Sequence, residues 1–167
     1  GLCSACLPHH QPLEIRLPGL TVAALGPYES ALRSAVLAVK SGRRDVAQAL
    51  GLRVAAMIAP GSLIVPVPTT AARRRVRGVD GVALIARQSA QTAGASVVEA
   101  LEQRSRDAQR GRSRAQRLAA RGRFVCRSTR VGAQRAVLFD DVCTTGATLQ
   151  DCAAAIREAG GFVDRAV

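Results

Sequence analysis

Apolar residues along the chain follow two spacings, one typical of helices and one typical of buried strands. Apolar positions three and four residues apart predict helices over 28–40, 45–59, 79–93 and 150–159. Short continuous apolar runs predict strands over 20–26, 62–68, 95–101, 136–140 and 162–167. Because strands alternate with helices, we predict an α/β fold built on an open, mainly parallel sheet flanked by helices.

Two segments fall outside this alternation. Residues 1–19 are rich in Cys, His and Pro, and we interpret them as an irregular N-terminal element that precedes one domain over 20–167. Residues 104–135 contain eleven arginines and a single acid, Asp107. This second segment is interpreted as a flexible loop beside a site, as a basic arm, or as a solvated basic surface.

Composition limits the classes of partner. The formal net charge of +12 favours anionic partners such as phosphates, nucleotides or nucleic acid. The low aromatic content of 2% argues against a surface that binds nucleic acid by stacking bases on exposed rings.

No apolar run approaches the roughly 18 to 20 residues of a membrane span, and no signal peptide is evident, so no membrane partner is expected. With five cysteines, an odd number, we expect a cytoplasmic protein without structural disulfides. The oligomeric state stays open.

The most informative stretch is "VLFDDVCTTGATL", in which an apolar strand ends on Asp140 and Asp141. Carboxylates at a strand's carboxyl end can accept hydrogen bonds from ribose hydroxyls or help to hold hydrated Mg²⁺. A small, hydroxyl-rich loop then leads into a helix, and a helix N-terminus attracts phosphate. The candidate phosphate-binding residues are Thr144, Thr145, Gly146, Ala147 and Thr148. This order of groups suits a ribose 5-phosphate.

The same stretch resembles the signature with which type I phosphoribosyltransferases bind 5-phosphoribosyl 1-diphosphate (PRPP). Further segments resemble one branch, the ComF (competence protein F) family: "IVPVP" followed by a basic stretch and Arg77-Gly78, the run "RDAQRGRSRAQR", and the N-terminal "CSAC". The resemblance covers nearly the whole chain. It departs from the family pattern at three positions, where Val79, Asp80 and Ala120 replace an aromatic residue and two asparagines.

The resemblance implies a five-stranded parallel core and transfer of the 5-phosphoribosyl group to a nitrogen acceptor, with release of pyrophosphate. It implies that Asp140 and Asp141 meet the ribose hydroxyls and that Mg²⁺ accompanies PRPP. The implied pyrophosphate-binding residues are Thr69, Thr70, Ala71, Ala72 and Arg73. The implied flexible loop contains Arg104, Arg106, Arg110 and Arg112.

Two further expectations concern zinc and alternative functions. Cys3 and Cys6 have the spacing of half a zinc site, and the resemblance implies a zinc-binding element there, to which His9 or His10 could add a ligand. The alternatives to an active transferase are a non-catalytic competence protein that binds DNA through its arginine-rich segment, and a regulator that senses PRPP without turnover.

Overall fold

The computed structural model describes residues 12–69, 80–104, 122–132 and 135–167. The strands are β1 (Leu13–Leu17), β2 (Leu20–Ala24), β3 (Leu63–Pro66), β4 (Ser96–Val97), β5 (Leu101–Gln103), β6 (Phe124–Cys126), β7 (Arg135–Phe139) and β8 (Phe162–Ala166). The helices are α1 (Ser30–Lys40), α2 (Arg44–Val54), α3 (Gly81–Ala93) and α4 (Ala147–Glu158), with 3-10 turns at Ala55–Met57 and Thr129–Gly132. Over the described ranges, no helix is long and apolar enough to cross a membrane.

Six strands form the main sheet, in the order β1-β2-β8-β7-β3-β4. The five strands from β2 to β4 are parallel, and β1 is antiparallel to β2. The α/β prediction is therefore confirmed. The five parallel strands are the five predicted ones, and β1 adds a sixth, antiparallel strand to the sheet. The added strand lies in a segment expected to be irregular, and its alternation of Leu13, Ile15 and Leu17 with charged residues explains why it pairs.

The sheet carries a hydrophobic core on each face. Leu63 and Val65 of β3 pack on the face covered by α4, while Ile64 packs on the face covered by α1, α2 and α3. This alternation follows from the two-residue period of a strand. Because both faces are covered, all four residues of β3 are buried, which is why the strand is a continuous apolar run rather than an alternating one.

Several predicted elements have different bounds. The predicted helix 45–59 ends as α2 at Val54 and continues as the 3-10 turn Ala55–Met57. The predicted strand 95–101 is divided into β4 and the start of β5, and β5 leaves the main sheet to pair antiparallel with β6. Helix α4 begins at Ala147, three residues before the predicted start. Part of the arginine-rich segment, expected to be a loop or an arm, forms β6 because Phe124 is buried in the core. Residues 105–121 lie outside the described ranges.

The connections after β3 and β7 run in opposite directions. β3 is followed by α3 and then by β4 at one edge, whereas β7 is followed by α4 and then by β8 on its other side. Since α3 and α4 pack on opposite faces of the sheet, the loops after β3 and β7 separate at this point. In open α/β sheets, ligands bind in the crevice that such a divergence leaves at the carboxyl ends of the strands.

We expect replacement of Gly51 by alanine to destabilise the fold. A Cβ atom at Gly51 of α2 would lie 2.6 Å from the Cβ and Cγ atoms of Gln88 on α3, so the two helices would have to separate. We expect a loss of about 1–3 kcal/mol in the free energy of unfolding, measured by urea denaturation, despite the higher helix propensity of alanine.

Gly132→Ala is the matched control, because nothing lies within 4 Å of a Cβ atom built there. Equal stability of the two variants would contradict the close packing of α2 on α3.

Candidate functional site

The loops that follow β3 and β7 adjoin at the carboxyl edge of the sheet. β3 pairs with β7 through Pro66 and Phe139, and the Val67 N–H donates to the Phe139 carbonyl at 2.8 Å. On the other side, the Asp140 N–H donates to the carbonyl of Val167, just beyond β8, at 3.1 Å. Asp140 therefore starts its loop between the ends of two neighbouring strands.

The two adjacent carboxyl groups have different surroundings. The Asp141 N–H donates to Asp140 Oδ1 at 2.9 Å, which holds the Asp140 side chain against the backbone of the loop. Asp141 Oδ2 lies 2.8 Å from Lys40 Nζ, at the C-terminus of α1. The side chains of this ion pair are 26% exposed for Lys40 and 18% for Asp141, so water screens the pair less than it would at an open surface.

Burial and neighbouring charges change the acidity of Asp140. Burial, together with the nearby Asp141 and Asp80 carboxylates, raises the pKa of Asp140 to about 7, against the opposing effects of the Asp141 N–H and Lys40. A carboxyl group with a pKa this high exchanges its proton near neutral pH, as groups in ligand sites often do. Any group that donates hydrogen bonds to the ionised carboxylate would lower this pKa.

Thr69 and Asp80 connect the β3 loop to the same site. The Thr69 hydroxyl donates to Asp80 Oδ1 at 3.2 Å, and the Ala83 N–H donates to the same oxygen at 3.2 Å. Asp80 thus caps the N-terminus of α3, as short polar side chains commonly do. Of the predicted pyrophosphate-binding residues, Thr69 lies at this edge, and Thr70, Ala71, Ala72 and Arg73 lie outside the described residues.

The predicted phosphate-binding residues line one small pocket at the start of α4, together with Asp140 and Cys143. The first intrahelical hydrogen bond runs from the Gln150 N–H to the Gly146 carbonyl at 2.9 Å. The amides of Ala147, Thr148 and Leu149 therefore precede the helical ladder, as the first amides of any helix do. The Thr145 hydroxyl accepts a long hydrogen bond from the Ala147 N–H, at 3.4 Å. Thr144 to Thr148 are brought together as predicted, although Ala147 and Thr148 belong to the helix.

Gly146 is required at this position for two reasons. Its φ of +74° is a conformation that L side chains rarely adopt, and a Cβ atom there would collide with the side chain of Leu17. Leu17 is the last residue of β1, so the β1–β2 hairpin packs directly against the start of α4. This hairpin is tied to the far end of the same helix by Arg157, whose guanidinium donates to the Gly19 carbonyl at 2.7 Å.

The β5–β6 ladder holds Arg104 and Arg123 of the arginine-rich segment side by side, on either side of residues 105–121. The Arg104 N–H donates to the Arg123 carbonyl at 2.9 Å, and the Arg123 guanidinium lies 2.7 Å from the carboxylate of Asp151 in α4. The segment therefore leaves and rejoins the described structure beside the first turns of α4. Arg104 is exposed there, and Arg106, Arg110 and Arg112 lie outside the described residues.

The cysteines give no metal site in the described ranges. Cys3 and Cys6 lie outside them, and within them no group of three or more His, Cys, Asp or Glu side chains could hold a metal ion. Cys126, Cys143 and Cys152 are free thiols, and Cys152 is fully buried in the core. Burial raises the pKa of the Cys143 thiol, as does the nearby Asp140 carboxylate. Both effects keep Cys143 protonated and lower its reactivity.

Sequence reasoning missed two residues of this site, Lys40 and Asp80. Lys40 is the only lysine among the 24 lysine and arginine residues of the chain, and this exception was the one signal in the sequence that could have drawn attention to it. Its pairing with Asp141 depends on tertiary packing and could not be predicted. Asp80 precedes an apolar helical pattern, as an N-cap residue does, yet its approach to Asp140 depends on the pairing of β3 with β7.

Comparisons with known proteins do not identify the chain: no family model matches it, and neither does any curated protein.

We expect the Lys40–Asp141 ion pair to stabilise the site. Lys40→Met leaves the half-buried Asp141 carboxylate without its cation, and we expect a loss of about 1–3 kcal/mol in the free energy of unfolding. The double variant Lys40→Met/Asp141→Asn should recover most of this loss, because the uncompensated charge is then removed. A double-mutant cycle by urea denaturation measures the coupling. Additive effects of the two substitutions would contradict the ion pair.

The raised pKa of Asp140 predicts a pH dependence of stability. The folded protein keeps a proton on Asp140 up to about pH 7, whereas the unfolded chain releases it near 3.8, so stability present at low pH is lost as the pH rises. Between pH 5 and pH 8 we expect this loss to reach about 2–3 kcal/mol, and Asp140→Asn should abolish it. Unfolding free energies measured at both pH values provide the test, and the same pH slope in both proteins would contradict the assignment.

Proposed function

We propose that this protein binds PRPP and transfers its 5-phosphoribosyl group to a nitrogen acceptor, with release of pyrophosphate. The observation that carries the proposal is the pocket that Asp140 shares with Thr144 to Thr148, at the divergence of β3 and β7. Asp141 follows Asp140 in the chain and lines the neighbouring cavity. The proposal also draws on the resemblance of "VLFDDVCTTGATL" to the type I phosphoribosyltransferase signature and of further segments to the ComF family.

The chemistry of the two groups matches the two ends of a ribose 5-phosphate. The 5-phosphate would accept hydrogen bonds from the amides that precede the α4 ladder, with the positive end of the helix dipole directed at it. The ribose hydroxyls would donate to the carboxylates of Asp140 and Asp141. Such donation favours the ionised form of Asp140, so sugar binding and proton release by Asp140 would be coupled.

Residues of the β3 loop would receive the diphosphate on the other side of the sugar. Thr69 contributes a hydroxyl at this edge, and its hydrogen bond to Asp80 fixes its position relative to α3. Thr70, Ala71, Ala72 and Arg73 are proposed for the same role from the resemblance. Because β3 and β7 are adjacent strands, the phosphate and diphosphate ends of PRPP would be held by neighbouring loops.

Magnesium fits this proposal as a partner of the substrate. Asp140 and Asp141 offer the hard oxygen donors that Mg²⁺ prefers, but the described residues contain no cluster that would hold a metal alone, so substrate oxygens would complete its coordination. When bound, Mg²⁺ would supply positive charge to the leaving diphosphate.

In the proposed reaction the C1–oxygen bond to the diphosphate breaks and the nitrogen attacks C1 from the opposite face. Positive charge develops on the sugar, so the contribution of the protein is positioning and charge stabilisation. Arg104 and Arg123 of the arginine-rich segment lie beside the first turns of α4, and the part of the segment between them would close over the site, neutralise the diphosphate and exclude water. Zinc at Cys3 and Cys6 stays a separate prediction.

The two alternative functions, a PRPP sensor and a DNA-binding protein, predict different binding behaviour. A PRPP sensor would use the same site without releasing pyrophosphate, so PRPP binding without turnover over a panel of nitrogen acceptors would favour it. A DNA-binding protein would use the arginine-rich segment, and its affinity would fall steeply with salt because phosphate contacts release counterions.

We expect PRPP with Mg²⁺ to raise the melting temperature of the protein. At a concentration about 100 times the dissociation constant, the stabilisation of about 2.7 kcal/mol corresponds to roughly 5 to 10 °C. Asp140→Asn combined with Asp141→Asn should abolish the shift, because both proposed ribose contacts are lost. Differential scanning fluorimetry measures the effect.

Glu14→Gln combined with Asp45→Asn is the control, since it removes two exposed carboxylates away from the site. This control should keep the full shift. An absent shift in the wild type, or a shift that persists without Asp140 and Asp141, would overturn the proposed function.

A further inference from the structure

An apolar cavity opens next to the two site carboxyl groups. Its volume is about 170 Å³, and it lies between the end of the β1–β2 hairpin, helices α1 and α2, and the loop that follows β7. Leu32 and Val36 of α1, Leu50 and Val54 of α2, and Phe139 of β7 form much of its wall. The cavity adjoins the pocket at the start of α4, and the two share Asp140, Val142, Cys143 and Leu149.

The lining is almost free of polar side chains. Among the described lining residues only four have polar side chains: Tyr28, Asp140, Asp141 and Cys143. A heterocyclic base with hydrogen-bonding groups around its ring would lose most of its water contacts here without gaining side-chain partners, which costs free energy for each unpaired group. The cavity wall therefore disfavours a polar nucleobase and favours an apolar body.

The volume is compatible with one small ring or a short branched chain. A dry cavity of about 150 Å³ lined by Leu, Ile and Phe side chains is sufficient to bind benzene. The wall of the present cavity has the same character, and several of its residues are more than 90% buried.

The charged groups at the cavity determine the other end of the ligand. Lys40 on α1 neutralises Asp141, whereas Asp140 forms no ion pair with any described residue. The carboxyl group of Asp140 thus borders an apolar space without a cation of its own. Its complement is a ligand with a donor or cationic nitrogen attached to an apolar body, since charge-assisted hydrogen bonds to a carboxylate are strong when water is excluded.

We propose that this cavity binds the apolar body of a small amine, with the amine nitrogen at the Asp140 carboxyl group. We identify this amine as the acceptor in phosphoribosyl transfer, an identification that rests on the proposed function. The cavity then narrows the acceptor from any nitrogen compound to an apolar amine.

The transfer step balances for such an acceptor. The ligand first releases one proton to water and reacts as the neutral amine. The nitrogen lone pair forms the bond to C1, and the C1–oxygen bond breaks with its electron pair leaving on the diphosphate. The surplus proton on the new ammonium passes to solvent, which leaves a secondary N-phosphoribosyl amine.

The test is a calorimetric titration of the full chain with three probes, namely benzylamine, benzyl alcohol and adenine. Benzylamine and benzyl alcohol share the apolar body and differ in the nitrogen, while adenine represents a polar base. We expect benzylamine to bind at least about tenfold more tightly than either competitor, because only benzylamine offers both the apolar body and the charge. Equal or tighter binding of benzyl alcohol or adenine would overturn the proposal.

Variants at Val54 test the location. Val54→Phe fills the cavity, and Val54→Leu is a milder second variant that is more readily accommodated in the fold. We expect benzylamine affinity to fall at least about tenfold in Val54→Phe and by less in Val54→Leu. Val46→Leu is the matched control, since Val46 is also a 7% exposed valine of α2 but does not line the cavity. Unchanged affinity in both Val54 variants, each verified to be folded by its melting transition, would overturn the assignment.

The PRPP melting shift separates this inference from the proposed function. Val54 makes no proposed contact with PRPP, so both Val54 variants should keep the shift. A PRPP shift in a protein that does not bind benzylamine would overturn the amine site and leave the function standing. Benzylamine binding without a PRPP shift would support the amine site and overturn the function.

Discussion

The parallel pairing of β3 with β7 is the constraint on which the candidate site depends. It aligns Pro66 with Phe139, so the loop with Thr69 and the loop with Asp140 start at the same edge of the sheet. The segments that follow β3 and β7 then lead to opposite faces of the sheet, one into α3 and the other into α4, and leave a crevice between them. The first amides of α4, the Asp80 cap of α3 and the two carboxyl groups therefore lie at the same edge of the sheet.

This arrangement has an electrostatic cost. Asp140 is largely buried there, beside the carboxylates of Asp141 and Asp80, and burial together with these two charges raises the pKa of Asp140 to about 7. Lys40 offsets part of the cost by pairing with Asp141. The carboxyl group of Asp140 has no such cation among the described residues. It is largely buried and borders both the polar pocket at the start of α4 and the apolar cavity. Sites that bind ligands commonly contain such a compromise between folding stability and chemical function.

The sequence was informative wherever one physical signal dominated. The buried runs of β3 and β7 and the order of "FDDVCTTGAT" located the strand ends and the candidate phosphate loop, because local chemistry determines those features. Pairing between distant segments was not predictable in this way. The approach of Lys40 to Asp141, the contact of Leu17 with Gly146 and the β5–β6 ladder each join residues far apart in the chain. The start of α4 was placed three residues late because Ala147 and Thr148 were assigned to the loop, whereas they form the first turn of the helix after its N-cap Gly146.

The most direct test of the account is a crystal structure of the protein with ribose 5-phosphate. We expect the phosphate at the amides of Ala147, Thr148 and Leu149, and the ribose hydroxyls within hydrogen-bonding distance of the carboxylates of Asp140 and Asp141. A phosphate bound elsewhere, or a sugar turned away from both carboxylates, would contradict the central claim that this edge of the sheet is a ribose 5-phosphate site.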